Sequence, residues 1–172
     1  MAATVKGAIT LRKALKNYAP DLAKQMPKEI GLSLKPVVKA AKGYLPDNGS
    51  ILSNWRNREN ATGNFPLYDS KTARAGITYK TTPSKPNRRG FRSLARLMNK
   101  SAAGAIYETA GRKKSDSTFV LNLESKVSSS MKGDGKMSGR ALFRAWEEDH
   151  GKAHDGVLRA IAKADKEFKA RT

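Results

Sequence analysis

Two histidines are the first residues of this chain to test for chemistry, because His150 and His154 stand four positions apart. That spacing places two imidazoles on one face of a helix, where they could bind a metal ion. The HExxH motif of zinc enzymes is absent, and the sequence does not indicate a third metal ligand. The nearby carboxylates more simply balance neighbouring Arg and Lys side chains on a solvated helix face. We therefore predict no metal site. These carboxylates belong to Glu147, Glu148, Asp149 and Asp155.

Other catalytic apparatus is missing from the sequence. The chain has no cysteine, which excludes thiolate nucleophiles, disulfides, iron–sulfur clusters and cysteine-based zinc sites. It also lacks the GxxxxGK[ST] phosphate loop and the GxSxG nucleophile motif. We predict that the protein is not an enzyme and has no cofactor, with a metal-dependent enzyme built on the two histidines as the remotest alternative.

Positive charge is the strongest signal in the sequence. The 172 residues include 34 Lys and Arg against 15 Asp and Glu, a formal charge of +19, and Glu108 is the one acidic residue between Lys71 and Lys114. Such a segment is suited to phosphate backbones, with no base-reading motif, or to acidic surfaces of adjoining proteins. It could also be a solvated face that adds solubility. The candidate contact residues are Lys85, Arg88, Arg89, Arg92, Arg96, Lys100, Arg112, Lys113 and Lys114.

The length and composition predict one domain with a modest core and exposed arms. Hydrophobic residues make up 38% of the chain and aromatic residues 7%. No segment approaches the roughly 18 apolar residues of a membrane span, and the first residues lack the apolar core of a signal peptide. We therefore expect no membrane contact and a cytosol-like compartment.

Apolar spacing predicts an α+β fold, with long N- and C-terminal helices packed on a small antiparallel sheet and with extended arms or loops. The predicted order is N-terminal helices over 1–46, a loop pinned by aromatic rings over 47–75, strands and a short Ala/Gly-rich helix over 76–111, a Ser/Gly/Lys-rich loop over 112–139, and a helix over 140–172.

The second N-terminal helix has apolar residues at three- and four-residue intervals, which are Ile30, Leu34, either Val37 or Val38, Ala41, and either Tyr44 or Leu45. Pro27 and Pro36 fall inside this pattern and predict a kink or a helix restart. The C-terminal helix shows one apolar stripe. Its members are Leu142, Trp146, Ala153, Val157, Ile161, Ala164 and Phe168.

Alternating residues predict a strand over 76–82, which Pro83 ends. Residues 83–90 are typical of a hairpin turn. A second strand is predicted over 91–98, although its apolar spacing also fits a helix.

The order of these features resembles the small neck and tail-completion proteins of long-tailed bacteriophages. The resemblance covers most of the chain, and its most specific part is Ala-Gly-Ala-Ile-Tyr-Glu-Thr-Ala-Gly, which ends at Gly111. The other segments are the helical opening over 22–38, the Gly-Ile-Thr-Tyr strand at 76–79 and the Gly-Arg-Ala-Leu-Phe-Arg-Ala-Trp helix that begins at Gly139.

This resemblance implies a non-catalytic virion protein with an α+β fold. It implies a homo-oligomeric ring, often six-fold, in the neck between the head connector and the tail-terminator or tail-tube proteins, with assembly in the host cytoplasm. A ring around the DNA channel would meet genomic double-stranded DNA without reading its sequence. Alternatives are a tail terminator that caps the tail tube, and an accessory DNA-binding protein. The Ala/Gly-rich segment is the predicted inter-subunit contact, through Ala102, Ala103, Gly104, Ile106 and Tyr107.

Overall fold

Helices dominate the residues that the computed structural model describes, which are 7–47, 68–109 and 139–171. Five helices and one two-stranded antiparallel sheet lie in these ranges, so the predicted α+β class is confirmed. In chain order the elements are α1 (Ala8–Tyr18), α2 (Pro20–Gly43), α3 (Ser70–Gly76), β1 (Ile77–Lys80), β2 (Arg96–Asn99), α4 (Ala102–Thr109) and α5 (Leu142–Lys169).

The chain divides into two compact units. The first comprises Met1–Pro36, Tyr79–Arg96 and Gly151–Thr172, and the second comprises Val37–Thr78 and Leu97–His150. The prediction of a single domain stays a prediction.

In the first unit, α2 and α5 run antiparallel. Asp21 of α2 pairs with Arg171 at 2.8 Å, and Glu29 pairs with Lys163 at 2.7 Å, so rising numbers on one helix meet falling numbers on the other. Between these helices and α1 lies an apolar interior, and each large side chain buried there contributes about 1.5–3 kcal/mol of transfer free energy. Its buried members are Leu11, Leu15, Ala19, Leu22, Met26, Ile30, Leu34, Ala153, Ala160, Ala164 and Phe168.

Tyr79 of β1 packs against α2 at a glycine. A Cβ atom on Gly31 would lie 2.9 Å from the ring atom Cε2 of Tyr79, closer than real Cβ atoms approach. The absence of a side chain at position 31 therefore lets the tyrosine ring lie directly on the helix backbone.

The second unit has a smaller interior. Arg74 of α3 holds the end of α2, because its guanidinium donates to the carbonyl oxygens of Lys42 at 3.3 Å and Leu45 at 2.9 Å and pairs with Asp47 at 2.7 Å. Carbonyl groups at a helix C-terminus lack intrahelical donors, so this arginine satisfies one of them, that of Lys42, and also holds the residues that follow the helix. The buried apolar residues of this unit are Val37, Ala41, Leu45, Ala73, Ile77, Ala103, Ala141 and Ala145.

Of the predicted kink or helix restart in α2, the restart does not occur, because the helix runs from Pro20 through Pro27 and Pro36 to Gly43. A proline in a helix interior costs about 3 kcal/mol. The apolar face beside these prolines is buried at Ile30, Leu34 and Val37, as the spacing predicts, and this burial offsets the loss. Pro36 is exposed and Pro27 half-buried, so neither ring belongs to the fully buried face.

The predicted loop, strands and C-terminal helix also differ in part from the structure. The predicted loop over 47–75 ends early, because Asp69 accepts a hydrogen bond from the N–H of Thr72 at 2.7 Å and so starts α3. Both predicted strands are longer than β1 and β2, and the second begins five residues later than predicted. In α5 the fully buried face is the alanine-rich one, whereas Trp146, Val157 and Ile161 are half-buried.

Two predicted loops lie largely outside the described residues. The aromatic residues Trp55 and Phe65 of the first loop are not described, and neither are residues 112–138 of the loop predicted over 112–139. Within residues 7–47, 68–109 and 139–171, no helix combines the length and the apolar character that crossing a bilayer requires.

Candidate functional site

The connection between β1 and β2 forms a hairpin turn at the centre of the positive segment. Ser84 N–H donates to the carbonyl of Ser93, and Asn87 N–H donates to that of Phe91, each at 2.9 Å. Gly90 closes the turn with φ +79°, a left-handed conformation that glycine adopts without strain. We call residues 84–93 the basic tip.

Side chains inside the basic tip fix its shape. The Oδ1 atom of Asn87 accepts from the backbone N–H groups of Arg89 at 3.0 Å and Phe91 at 2.9 Å. The Ser84 hydroxyl accepts from the N–H of Ser93 at 2.9 Å, and the guanidinium of Arg92 donates to the Ser84 carbonyl at 3.0 Å. The tip is thus an ordered turn whose backbone conformation is set before any partner arrives.

The hairpin is tied to α1 below the tip. A guanidinium nitrogen of Arg12 donates to the carbonyl oxygen of Thr81. Partial burial lowers the pKa of Arg12, yet an arginine keeps its charge in proteins. This contact adds a further cation close to the base of the hairpin.

Four predicted contact residues lie together in the basic tip, and all four are exposed. They are Lys85, Arg88, Arg89 and Arg92. Among the residues that the structure describes, no carboxylate forms an ion pair with any of them. Phe91 stands among them with 72% of its surface exposed. The tip therefore presents uncompensated positive charge around one aromatic ring.

The other predicted contact residues are placed differently. Arg96 lies in β2, where it is half-buried and its Nε atom is buried without a hydrogen-bond partner. Lys100 is exposed but belongs to the second unit. The predicted contacts over 112–114 lie outside the described residues.

The predicted inter-subunit segment forms α4. Ala103 and Gly104 are buried within their own chain, Ile106 and Tyr107 are half-buried, and Ala102 is exposed. Packing inside the chain explains the small residues, since a Cβ on Gly104 would lie 2.5 Å from the hydroxyl of Ser101. Contact with a neighbouring subunit stays a prediction.

Sequence reasoning missed the buried charge of the second unit. Glu108 is 3% exposed, and its carboxylate accepts from the backbone N–H groups of Ala141 at 3.0 Å, Leu142 at 3.0 Å and Phe143 at 2.9 Å. A carboxylate here satisfies N–H groups that a helix start leaves without partners and meets the positive end of the helix dipole. The sequence feature that could have revealed this buried charge is the position of a single glutamate within an otherwise Ala/Gly-rich segment.

Arg140 accompanies this carboxylate in the buried part of the second unit. Its guanidinium donates to the backbone carbonyl of Tyr107 at 2.6 Å, and its central carbon lies 5.8 Å from the centre of the Tyr107 ring. Burial raises the pKa of Tyr107, and it raises that of the neighbouring Tyr68 to about 12. Both phenols therefore stay protonated at neutral pH, and the contacts of Arg140 join the end of α4 to the start of α5.

The two histidines lie on exposed positions of α5. Nδ1 of His150 is 3.0 Å from the carbonyl oxygen of Glu147, and Nδ1 of His154 is 3.6 Å from a carboxylate oxygen of Asp155. Among the described residues, no group of three or more His, Cys, Asp or Glu side chains is arranged to hold a metal ion.

Comparison with known proteins adds no relative to this geometry. No protein-family model, curated protein or solved structure matches the chain. The basic tip is thus the candidate site on its own physical merits.

Proposed function

We propose that this protein is a structural subunit of the neck of a long-tailed bacteriophage, where it acts in tail completion and head–tail joining. In this proposal it forms a homo-oligomeric ring around the DNA channel, between the head connector and the tail. The resemblance of its segment order to neck proteins motivates the proposal, and the α+β fold is the class that the resemblance implies.

The basic tip is the observation that carries the proposal. Four exposed cations stand on an ordered turn, and none of them pairs with a carboxylate of the described residues. A ring subunit can present such a turn to DNA in its lumen or to an acidic surface of the next ring. Neither role requires base recognition, and the chain carries no motif for it.

Deleting the gene from the phage that encodes this protein tests the proposal directly. We expect filled heads and separate tails, and we expect a plasmid copy of the gene to restore joined particles. Negative-stain imaging of the purified protein, alone and mixed with tails, should show rings and then rings on tail ends. Normal joining without the gene would refute the proposal. Over-long tail tubes in the deletion would instead support the role of tail terminator.

An accessory DNA-binding protein is the second candidate, and the same tip favours it. This candidate predicts a soluble monomer or dimer that binds any duplex and that does not accompany purified particles. Sedimentation of the purified protein and of virions separates the two functions, because only a neck subunit is both ring-forming and particle-bound.

A further inference from the structure

The exposed ring at the basic tip distinguishes it from a purely electrostatic surface. Among the large apolar residues that are exposed in the described ranges, Tyr18, Leu32 and Leu158 lie on helices, whereas Phe91 stands on a turn. Both the N–H and the carbonyl of Phe91 are hydrogen-bonded to Asn87, so its backbone is fixed while its ring faces solvent. Fixing a contact group before binding lowers the entropy lost on association.

We propose that the basic tip binds nucleic acid, with its cations on the phosphates and the ring of Phe91 against the apolar face of a base or sugar. This inference deepens the proposed function and rests on it for the source of the nucleic acid, which is the genome in the channel. We expect the contact to be independent of sequence, because the affinity comes from phosphates, which every sequence presents alike.

The density of charge favours nucleic acid over an acidic protein. Duplex DNA carries one negative charge per about 1.7 Å of its axis, so several phosphates lie within reach of four cations on one short turn. An average protein surface carries negative charge at a much lower density, because acidic and basic residues together make up only about a quarter of an average sequence. The basic tip of a second copy is also a poor partner for this tip, because both present the same exposed cations.

The ring adds a second argument for the same partner. Nucleic acid places apolar surface beside its phosphates: sugar and groove surface in a duplex, and also base faces in a single strand, where an aromatic side chain that stacks on a base contributes about 1–3 kcal/mol of binding free energy. An acidic protein would need an apolar pocket surrounded by carboxylates to match the tip equally well.

Fluorescence anisotropy tests the inference with the full-length protein. The probes are a duplex of mixed sequence, a single strand of equal length and poly-glutamate, titrated at several salt concentrations. The charge variant is Arg88→Gln with Arg89→Gln, because the turn's hydrogen bonds within the described part of the chain involve neither of these side chains. The matched control is Lys24→Gln with Lys28→Gln, which removes the same charge from exposed positions of α2 in the same unit.

For the charge variant we expect the slope of log affinity against log salt to fall by about two, and duplex affinity at 0.1 M salt to fall about fifty-fold. The control pair should keep the wild-type slope to within one. Equal losses in the two variants would show that binding is spread over the whole basic surface, and this outcome would overturn the inference.

Replacing Phe91 with Ala separates the ring from the charges. We expect affinity to fall on both probes, about tenfold on the single strand, with the salt slope unchanged because no phosphate contact is removed. A larger loss on the single strand would support stacking on a base, and equal losses on both probes would support a contact in a groove. No loss on either probe, or equal affinity of the wild type for poly-glutamate, would overturn the inference.

The inference and the proposed function can fail separately. If the charge variant and the wild type bind DNA equally while deletion of the gene still separates heads from tails, the tip inference alone is wrong. If the tip binds DNA as expected but joining proceeds without the protein, the proposed function alone is wrong.

Discussion

Removing the buried carboxylate of Glu108 should destabilise the protein more than removing any exposed carboxylate. Its two oxygens accept three backbone N–H groups at the start of α5, at 2.9–3.0 Å. Loss of a helix cap costs about 1–2 kcal/mol, and a hydrogen bond to a charged group contributes about 1.5–3 kcal/mol. These contributions overlap, and truncation also leaves a small cavity. We therefore expect Glu108→Ala to lower the free energy of unfolding by about 3 kcal/mol.

The substitution Glu108→Gln should cost less, about 1–2 kcal/mol. The amide keeps the volume and one acceptor oxygen, but its NH2 group would face a donor N–H. Asp155→Asn is the matched control, because it removes one negative charge from an exposed position of α5 and should change stability by less than about 0.5 kcal/mol.

Urea unfolding followed by circular dichroism measures these differences through the midpoint and the m-value. For a chain of this length, about 3 kcal/mol corresponds to a melting temperature lower by about 6–12 °C. If Glu108→Ala unfolds within about 0.5 kcal/mol of the wild type, the carboxylate does not hold the start of α5 and the packing described for the second unit is wrong.

Two further predictions concern the first unit. The hydrogen bond from Lys163 lowers the pKa of Glu29. The stability that this ion pair contributes is therefore present above the ordinary glutamate pKa near 4.5 and is lost as the pH falls through the lowered value. Urea midpoints measured between pH 5 and 3 should fall less steeply in Glu29→Gln than in the wild type, and parallel curves would contradict a stabilising ion pair. Gly31→Ala should be less stable than Gly43→Ala by about 1–3 kcal/mol, because a Cβ at position 31 would overlap the ring of Tyr79 whereas one at position 43 meets no atom within 4 Å. The comparison with Gly43→Ala is needed because alanine by itself favours a helix over glycine by about 0.5–1 kcal/mol. Equal urea midpoints of the two variants would contradict the contact.

The apolar face of α2 could be predicted from the sequence because it depends on spacing alone. Ile30, Leu34, Val37, Ala41 and Leu45 recur at three- and four-residue intervals, and all five are buried. Where two apolar residues were adjacent, the helix period left a choice that only packing could make. Val37 and Leu45 took the buried positions.

The C-terminal helix shows where the same reasoning fails. Three members of the predicted stripe are buried, namely Ala153, Ala164 and Phe168, but the larger residues Trp146, Val157 and Ile161 are only half-buried. Two alanines that the stripe omitted, Ala145 and Ala160, are buried instead. A Cβ on Gly156 would lie 2.4 Å from the hydroxyl of Ser33 on α2. Hydrophobicity scales favour large residues, whereas a close helix crossing selects small ones.

The candidate site was predictable in part. The tip cations were visible as a basic cluster beside turn-forming residues. Which of them share a surface depends on where the strands end, and the shift of the second strand to Arg96–Asn99 moved Arg96 away from the exposed tip. Glu108 was not predictable as a helix cap, because its partners lie 33 to 35 residues further along the chain.

The prolines of α2 have a consequence for how this helix opens. Each lacks an N–H, so the carbonyl groups of Ala23 and Leu32, four residues earlier, lose their usual intrahelical donor. The backbone ladder of α2 is thus interrupted twice within 24 residues. Amide hydrogen exchange should divide the helix into segments with separate protection, and those beside the missing donors should exchange first.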